Sequence, residues 1–371
     1  MSIELKLIGL AAASLLCAML VTFVTTPVVK MLAQRVGAVD VPRDGRRMHS
    51  HPVARMGGLA IFFGFILSVL LFAPITGQLQ GMLLGGVIIV VLGMLDDIYA
   101  LRAKLKFFVQ IMAALVAVLS GNVIEVLSNP NIFSTNPYWE LGVLSIPITV
   151  LWIVAITNAV NLIDGLDGLA VGVSTISSMT LLVIALVVSE GEVALLMAAL
   201  AGACIGFMPY NLNPAKIFMG DTGSTFLGFI LSVVSIQGLF KFYTIISFVV
   251  PFLMLGLPIF DICFAFIRRI LNGQSPMSPD RSHIHHRLID MGFNQKQAVA
   301  VLYVISAILG LSAVVLTTSG ELKAMLLLLA LCAAGAVAAR IYMLNNEKKQ
   351  NSGENGHSGT PSEPAGGKDT P

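Results

Sequence analysis

Charge is what this sequence has least of. Only 11% of its 371 residues are charged, 56% are hydrophobic, and the mean hydropathy is +0.88, whereas a soluble globular domain carries about 25% charged residues. A soluble domain is excluded. Cysteine is scarce too: Cys17, Cys204, Cys263 and Cys332 all fall inside apolar runs, spaced too far apart for a metal knuckle, and they read as small packing residues. The His-Glu-x-x-His string of an intramembrane metalloprotease is absent. No internal repeat of the kind many secondary transporters carry is visible either.

Apolar runs of about 18 or more residues mark spanning helices. Eleven are present, at roughly 3–26, 57–75, 79–95, 107–121, 141–157, 168–188, 193–209, 224–240, 244–266, 298–317 and 323–343. The first lacks an A-x-A-like cleavage pattern and reads as a retained helix, not a signal peptide. The expected fold is an all-α polytopic membrane protein with about 11 transmembrane helices, its N-terminus outside and its C-terminus cytoplasmic. Residues 1–344 form the membrane domain. The tail, 345–371, is rich in Gly, Ser, Pro and Glu and is expected to be disordered. With this threading, nineteen of the 22 basic residues face the cytoplasm, leaving Lys6, Lys241 and Lys323 outside, as retention of Lys and Arg on the inner side requires.

The acids are as lopsided as the bases. Asp96 and Asp97 end the third run, Asn161, Asp164 and Asp167 follow the fifth, Asp221 precedes the eighth, and Asp261 sits late in the ninth, ahead of "HIHH". All fall near the cytoplasmic face. A carboxylate at a spanning-helix centre costs about 2.5–3.5 kcal/mol on insertion scales, and less near the ends. Any one of these acids reads equally well as a hydrated helix cap; their convergence on one side points to a site.

Adjacent carboxylates raise each other's pKa, so Asp96 and Asp97 call for Mg²⁺ or a base such as Lys104 or Lys106, unless they sit in a solvated turn. On a helix, Asn161, Asp164 and Asp167 lie within about a 120° arc; Gly165 and Gly168 argue instead for a broken segment where backbone approaches a ligand. Non-helical backbone at this depth is tolerated where it lines a polar cavity. In "GDTGS", free N–H groups at a helix start suit a phosphate and Asp221 suits a divalent cation, although a simple Asp or Ser cap would look alike. Arg281, His283, His285, His286 and Arg287 share one loop. Zinc is disfavoured there, because His285 and His286 cannot face one ion from a helix; phosphate or sugar recognition fits better, with lipid-headgroup binding as the plain alternative. Arg43, Arg46, Arg47, His49 and Arg55 are basic residues that the inner-side bias already demands, so a part in chemistry is only weakly indicated. Asp261 is expected to pair with Arg268 and Arg269.

Acids and an amide for Mg²⁺ with basic groups for phosphate, at a membrane face, suggest phosphoryl transfer involving a lipid. Taken in order, "LDDIYALRAKLKFFVQ", "NAVNLIDGLDGLA", "NPAKIFMGDTGS" and "PDRSHIHHRL" resemble the polyprenyl-phosphate N-acetylhexosamine-1-phosphate transferase superfamily (glycosyltransferase family 4) over essentially the whole chain. "HIHHRL" is similar to the branch that uses UDP-GlcNAc and primes teichoic acid, enterobacterial common antigen or O-antigen. The resemblance implies a bacterial inner-membrane enzyme, active at the cytoplasmic face, that transfers GlcNAc-1-phosphate from UDP-GlcNAc to undecaprenyl phosphate and releases UMP. It implies Asn161 and Asp221 as ligands of Mg²⁺, with Mn²⁺ substituting; Asp164 and Asp167 in the nucleotide pocket, Asp167 toward the uracil; Asp96, Asp97 and Lys106 in catalysis; and Arg281, His283, His285, His286 and Arg287 near the diphosphate and sugar. Partners are the two substrates and the bilayer, with a homodimer left open and no nucleic acid. The competing readings are the phospho-MurNAc-pentapeptide transferase of peptidoglycan synthesis, whose branch tends to carry three consecutive histidines, and a polytopic transporter, whose charges would reach both faces.

Overall fold

A computed structural model describes residues 3–42, 51–128, 138–238, 246–271, 273 and 283–319. The eleventh expected span (323–343), the tail from 345, and Arg43, Arg46, Arg47, His49 and Arg281 lie outside the described residues.

Helices dominate, as they must where no water is available to satisfy backbone groups. In chain order they are α1 (Ile3–Val36), α2 (Gly58–Phe72), α3 (Gly77–Tyr99), α4 (Ala103–Leu119), α5 (Ser145–Ile163), α6 (Leu169–Val187), α7 (Gly191–Asn211), α8 (Gly220–Gly238), α9 (Ile246–Met254), α10 (Gly256–Leu271), α11 (Ile284–Asp290) and α12 (Gln295–Ser319). Among the described residues, six helical stretches are long and apolar enough to cross a membrane, and α2 is a shorter apolar helix. The chain is an all-α multi-pass membrane protein.

Two differences from the sequence reading have local causes. The ninth expected span is broken at Leu255 into α9 and α10, where Pro251, Gly256 and Pro258 interrupt the helical ladder. The histidine loop contains a short helix, α11, which opens directly after His283.

The helices interlock through small residues and hydroxyls. In α7, a methyl group added at Gly202 or Gly206 would collide with the carbonyl oxygens of Leu15 and Met19 on α1, the close approach that a small-xxx-small pair permits. Ser14 and Ser68 hydrogen-bond between α1 and α2 at 2.9 Å. Almost every residue of α8 is buried, and α3 and α5 flank it. A helix buried on every side sits in the centre of the bundle, its hydroxyls and small residues turned to neighbouring helices, so the first turn of α8 brings Asp221 among them.

Two small antiparallel ribbons join helices. β1 (Val39–Asp40) pairs with β2 (Val53–Ala54), Val39 facing Ala54; β3 (Val126–Ser128) pairs with β4 (Tyr138–Glu140). The first of these ribbons feeds the site.

Candidate active site

Several chain segments meet at the start of α8. Gly220 has φ +72°, a conformation that glycine adopts without penalty, and a methyl group there would strike the Asp97 carboxylate. The carboxylate of Asp97 lies against this turn. It accepts the N–H of Asp221 at 3.0 Å through Oδ1, and the N–H of Thr222 at 3.1 Å and the Thr222 hydroxyl at 2.6 Å through Oδ2. Orphan donors at a helix start need such acceptors. Asp97 therefore caps α8 from a neighbouring helix, and its oxygens are committed.

Asp96 has a different task. It accepts the N–H of Leu101 at 2.7 Å and one proton of the Lys106 ammonium at 2.9 Å. Lys106 also donates to Asp221 Oδ2 at 2.8 Å, so it bridges the acid pair and the α8 acid. The basic neighbour that the sequence called for is Lys106. No group in this cluster is placed as a free base.

A cavity of about 360 Å³ opens beside this turn, within the range of small-molecule sites. It is lined by Asn161, Asp164, Asp167 and Asp221, and also by Asp40, Arg55, Asn211, Phe218, Gln295 and His286. α5 ends at Ile163, Asp164 caps it, and α6 starts after Gly168 at φ +82°. The polar string is thus the break between two helices, the second of the conformations that its spacing allowed. Asn161 donates through Nδ2 to the Ser224 hydroxyl at 2.8 Å, which in turn donates to the Gly220 carbonyl at 3.0 Å. This leaves the amide oxygen of Asn161 for a ligand. Asp167 Oδ2 accepts the N–H of Ala215 and the amide of Asn213, both at 3.0 Å, tying the break to the chain ahead of α8. Asp164 is partly buried; burial, then the charges of Asp221 and Asp97, push its carboxyl up to about 8.

The donor set suits a hard divalent cation. Asn161, Asp164 and Asp221 line the same cavity, and Mg²⁺ completes its shell with water and substrate phosphate rather than with a full protein cage. Among the described residues, no group of three or more His, Cys, Asp and Glu side chains is arranged to hold an ion by itself.

The histidine segment divides. His286 lines the cavity. His285 is buried against Gly165, parallel to His283 with ring centroids 5.8 Å apart; burial and then His286 push its pKa down to about 4, so it is neutral at pH 7. His283 is buried and bonds through Nδ1 to Asp261 Oδ2 at 2.9 Å, while Asp261 Oδ1 accepts the N–H of Ile284 at 2.9 Å. This corrects the expected pairing of Asp261 with Arg268 and Arg269: its carboxylate reaches from α10 to the start of α11, where the buried His283 ring and a first-turn N–H without an intrahelical acceptor both need one. Arg287 lies over the Phe264 ring, 4.7 Å from its centroid, and is not among the cavity-lining residues.

Arg55 is the residue the sequence reading undervalued. Its Nη2 is 3.3 Å from Asp97 Oδ1 and 3.9 Å from Asp221 Oδ1. The inner-side charge bias hides such a residue among its basic neighbours. The signal was the Gly57-Gly58 pair after it, whose N–H groups donate to the carbonyls of Phe218 and Met219 at 2.9 Å.

The sequence pattern of glycosyl transferase family 4 matches residues 79–239, which takes in the acid pair, the α5–α6 break and the start of α8. The chain is 45% identical over 333 residues to the "Probable undecaprenyl-phosphate N-acetylglucosaminyl 1-phosphate transferase" of Bacillus subtilis, covering 89% of this chain and 91% of that one. It is 35% identical over 328 residues to the "Decaprenyl-phosphate N-acetylglucosaminephosphotransferase" of Mycobacterium tuberculosis H37Rv (81% and 79% covered). Against the "Undecaprenyl-phosphate alpha-N-acetylglucosaminyl 1-phosphate transferase" of Thermotoga maritima the identity is 33% over 274 residues (72% and 78%).

Proposed function

Because the chain belongs to glycosyl transferase family 4, we propose that its pocket serves the transfer of GlcNAc-1-phosphate from UDP-GlcNAc to undecaprenyl phosphate, giving undecaprenyl-diphospho-GlcNAc and UMP. The observation that carries this reading is one cavity lined by Asn161, Asp164, Asp167, Asp221 and His286, drawn from three separated stretches of a chain whose relatives are named as N-acetylglucosaminyl 1-phosphate transferases.

An oxygen of the lipid phosphate attacks the β-phosphorus, the bond from that phosphorus to the bridging oxygen breaks, and UMP departs with the bridging oxygen. A phosphomonoester has its second pKa near 6, so the nucleophile is mostly dianionic at neutral pH and needs no general base. This agrees with an acid pair occupied in holding Lys106 and the first turn of α8. Asn161 and Asp221 would hold Mg²⁺, or Mn²⁺ in its place, which supplies neutralisation of phosphate charge when bound. Lys106 keeps Asp221 in position, and Asp167 holds the 213–215 stretch that leads from α7 to α8.

We read the full chain as crossing the bacterial inner membrane eleven times, N-terminus outside and C-terminus cytoplasmic. Support comes from the ends of α3 and α5 and the starts of α4, α6 and α8, which all carry the site, as an alternating path with a cytoplasmic site requires.

The test is purified protein with Mg²⁺, undecaprenyl phosphate and labelled UDP-GlcNAc, with the released nucleotide identified. UMP is expected. Release of UDP would mean transfer of the sugar alone and would overturn the proposal. Inside-out vesicles should use added UDP-GlcNAc, and sealed right-side-out vesicles should not.

A further inference from the structure

A site for a nucleoside diphosphate must offset the charge of two phosphates. The described cavity lining has the opposite bias, with Asp40, Asp167 and Asp221 on its walls. Among the described lining residues, Arg55 alone carries a fixed positive charge.

The setting of Arg55 is that of a built binding group. The N–H of Arg55 donates to the Ala38 carbonyl at 2.8 Å, and Phe218 donates back to the Ala54 carbonyl at 2.8 Å. Together with the bonds from Gly57 and Gly58 to Phe218 and Met219, these strap the strand end to the approach of α8. Met56 is held between them at φ +87°, a conformation that costs a non-glycine residue of order 1–3 kcal/mol and persists only where surroundings impose it. Asp97 Oδ1 lies 3.3 Å and Asp221 Oδ1 3.9 Å from one guanidinium nitrogen, Nη2, and the side chain remains 34% exposed. One nitrogen is thus fixed while others of its five N–H donors are left for the cavity. Planar donors of this kind match phosphate oxygens.

We propose that Arg55 is a phosphate-binding residue of the site, contacting the diphosphate of the donor and the phosphate of departing UMP, with Asp97 as the positioning residue that aims it. This rests on the reading of the cavity as the UDP-sugar site. It assigns to the loop between α1 and α2 a direct part in substrate recognition.

The test separates phosphate from nucleoside. Inhibition of the wild-type transferase by UMP and by uridine is measured, then repeated with Arg55→Gln. UMP inhibition is expected to weaken about ten- to a hundredfold, the size of a charge-assisted contact, while uridine inhibition stays within about twofold. Equal losses for both would make Arg55 a structural strut and overturn the assignment, and so would no loss for either. Arg55→Lys keeps the charge without the planar fork; if Arg55→Gln does not accumulate, it should still lose UMP affinity selectively, and equal change for both inhibitors would again overturn the assignment. A wild-type enzyme indifferent to UMP would instead remove the underlying reading of the cavity.

Discussion

Asp97 holds Thr222 twice, through its N–H at 3.1 Å and its hydroxyl at 2.6 Å, both on Oδ2. That relationship assigns the acid pair its chemistry, because an oxygen accepting two protons deep in the bundle is a poor base. Each buried donor left without an acceptor costs about 1–3 kcal/mol. Asp97→Ala should therefore lower the melting temperature in detergent and abolish turnover together, while Thr222→Val, losing one hydroxyl bond worth about 1 kcal/mol, should do less of both. Asp97→Asn replaces one acceptor by a donor facing N–H groups and should stay inactive at every pH. Recovery of its rate at high pH would show a base after all.

If Mg²⁺ occupies the proposed site, Asp164 should give its binding a pH dependence. Its carboxyl, pushed up to about 8, keeps a proton through neutral pH that a cation must displace. Mg²⁺ affinity should rise from pH 6 to 8, by up to about tenfold per unit if one proton leaves, and level off above. In the unfolded chain the group titrates near 3.8. The folded, metal-free protein holds this proton when the unfolded one does not, so it loses stability as pH climbs from about 4 to about 8. Asp164→Asn should flatten both curves, and an unchanged Mg²⁺ slope would place the proton elsewhere.

Gly165 leaves room for His285. A methyl group there would strike the imidazole Nε2, and the ring is boxed in by His283 and His286. Gly165→Ala should displace the histidine segment and lower kcat/KM, and adding His285→Ala should cost less than the two single losses combined, because residues in contact do not act additively. With its pKa pushed down to about 4, His285 stays neutral from pH 5.5 to 8, so its removal should leave the shape of the pH profile over that range unaltered. A lost limb in that range would mean that it titrates.

What could be read ahead of the structure followed from cost. Asn161, Asp164, Asp167 and Asp221 stand out because a membrane penalises them, and all four line one cavity. Arg55 did not stand out, because a basic residue on the inner side is what threading alone demands. Asp261 misled for a related reason: Arg268 and Arg269, one to two turns on, supply a plausible local partner, while His283, 22 positions away, becomes a neighbour only when α10 and α11 fold together. Pro251, Gly256 and Pro258 did announce a break, but a continuous apolar run concealed it.

Asp167 holds the chain ahead of α8, and if the cavity takes the nucleotide as proposed, a single substitution can separate that task from a contact to the base. Oδ2 is engaged by Ala215 and Asn213, and Asn213 also donates to Gln295 at 2.7 Å, so truncation to Ala should loosen the wall between α7 and α8 as well as remove the acid. Asn at this position can keep its carbonyl oxygen on the Ala215 N–H and turn its amide toward the cavity. The wall survives, but an acceptor facing the nucleotide becomes a donor. A uracil presents an N–H at its pairing edge, and a polar site left mismatched with its ligand loses far more than one contact. Asp167→Asn should therefore raise the KM for UDP-GlcNAc by about ten- to a hundredfold, with the Mg²⁺ dependence and melting temperature near those of the wild type, whereas Asn161→Ala should shift the Mg²⁺ dependence first. If both substitutions move the two constants alike, the division between metal side and base side of the cavity does not exist.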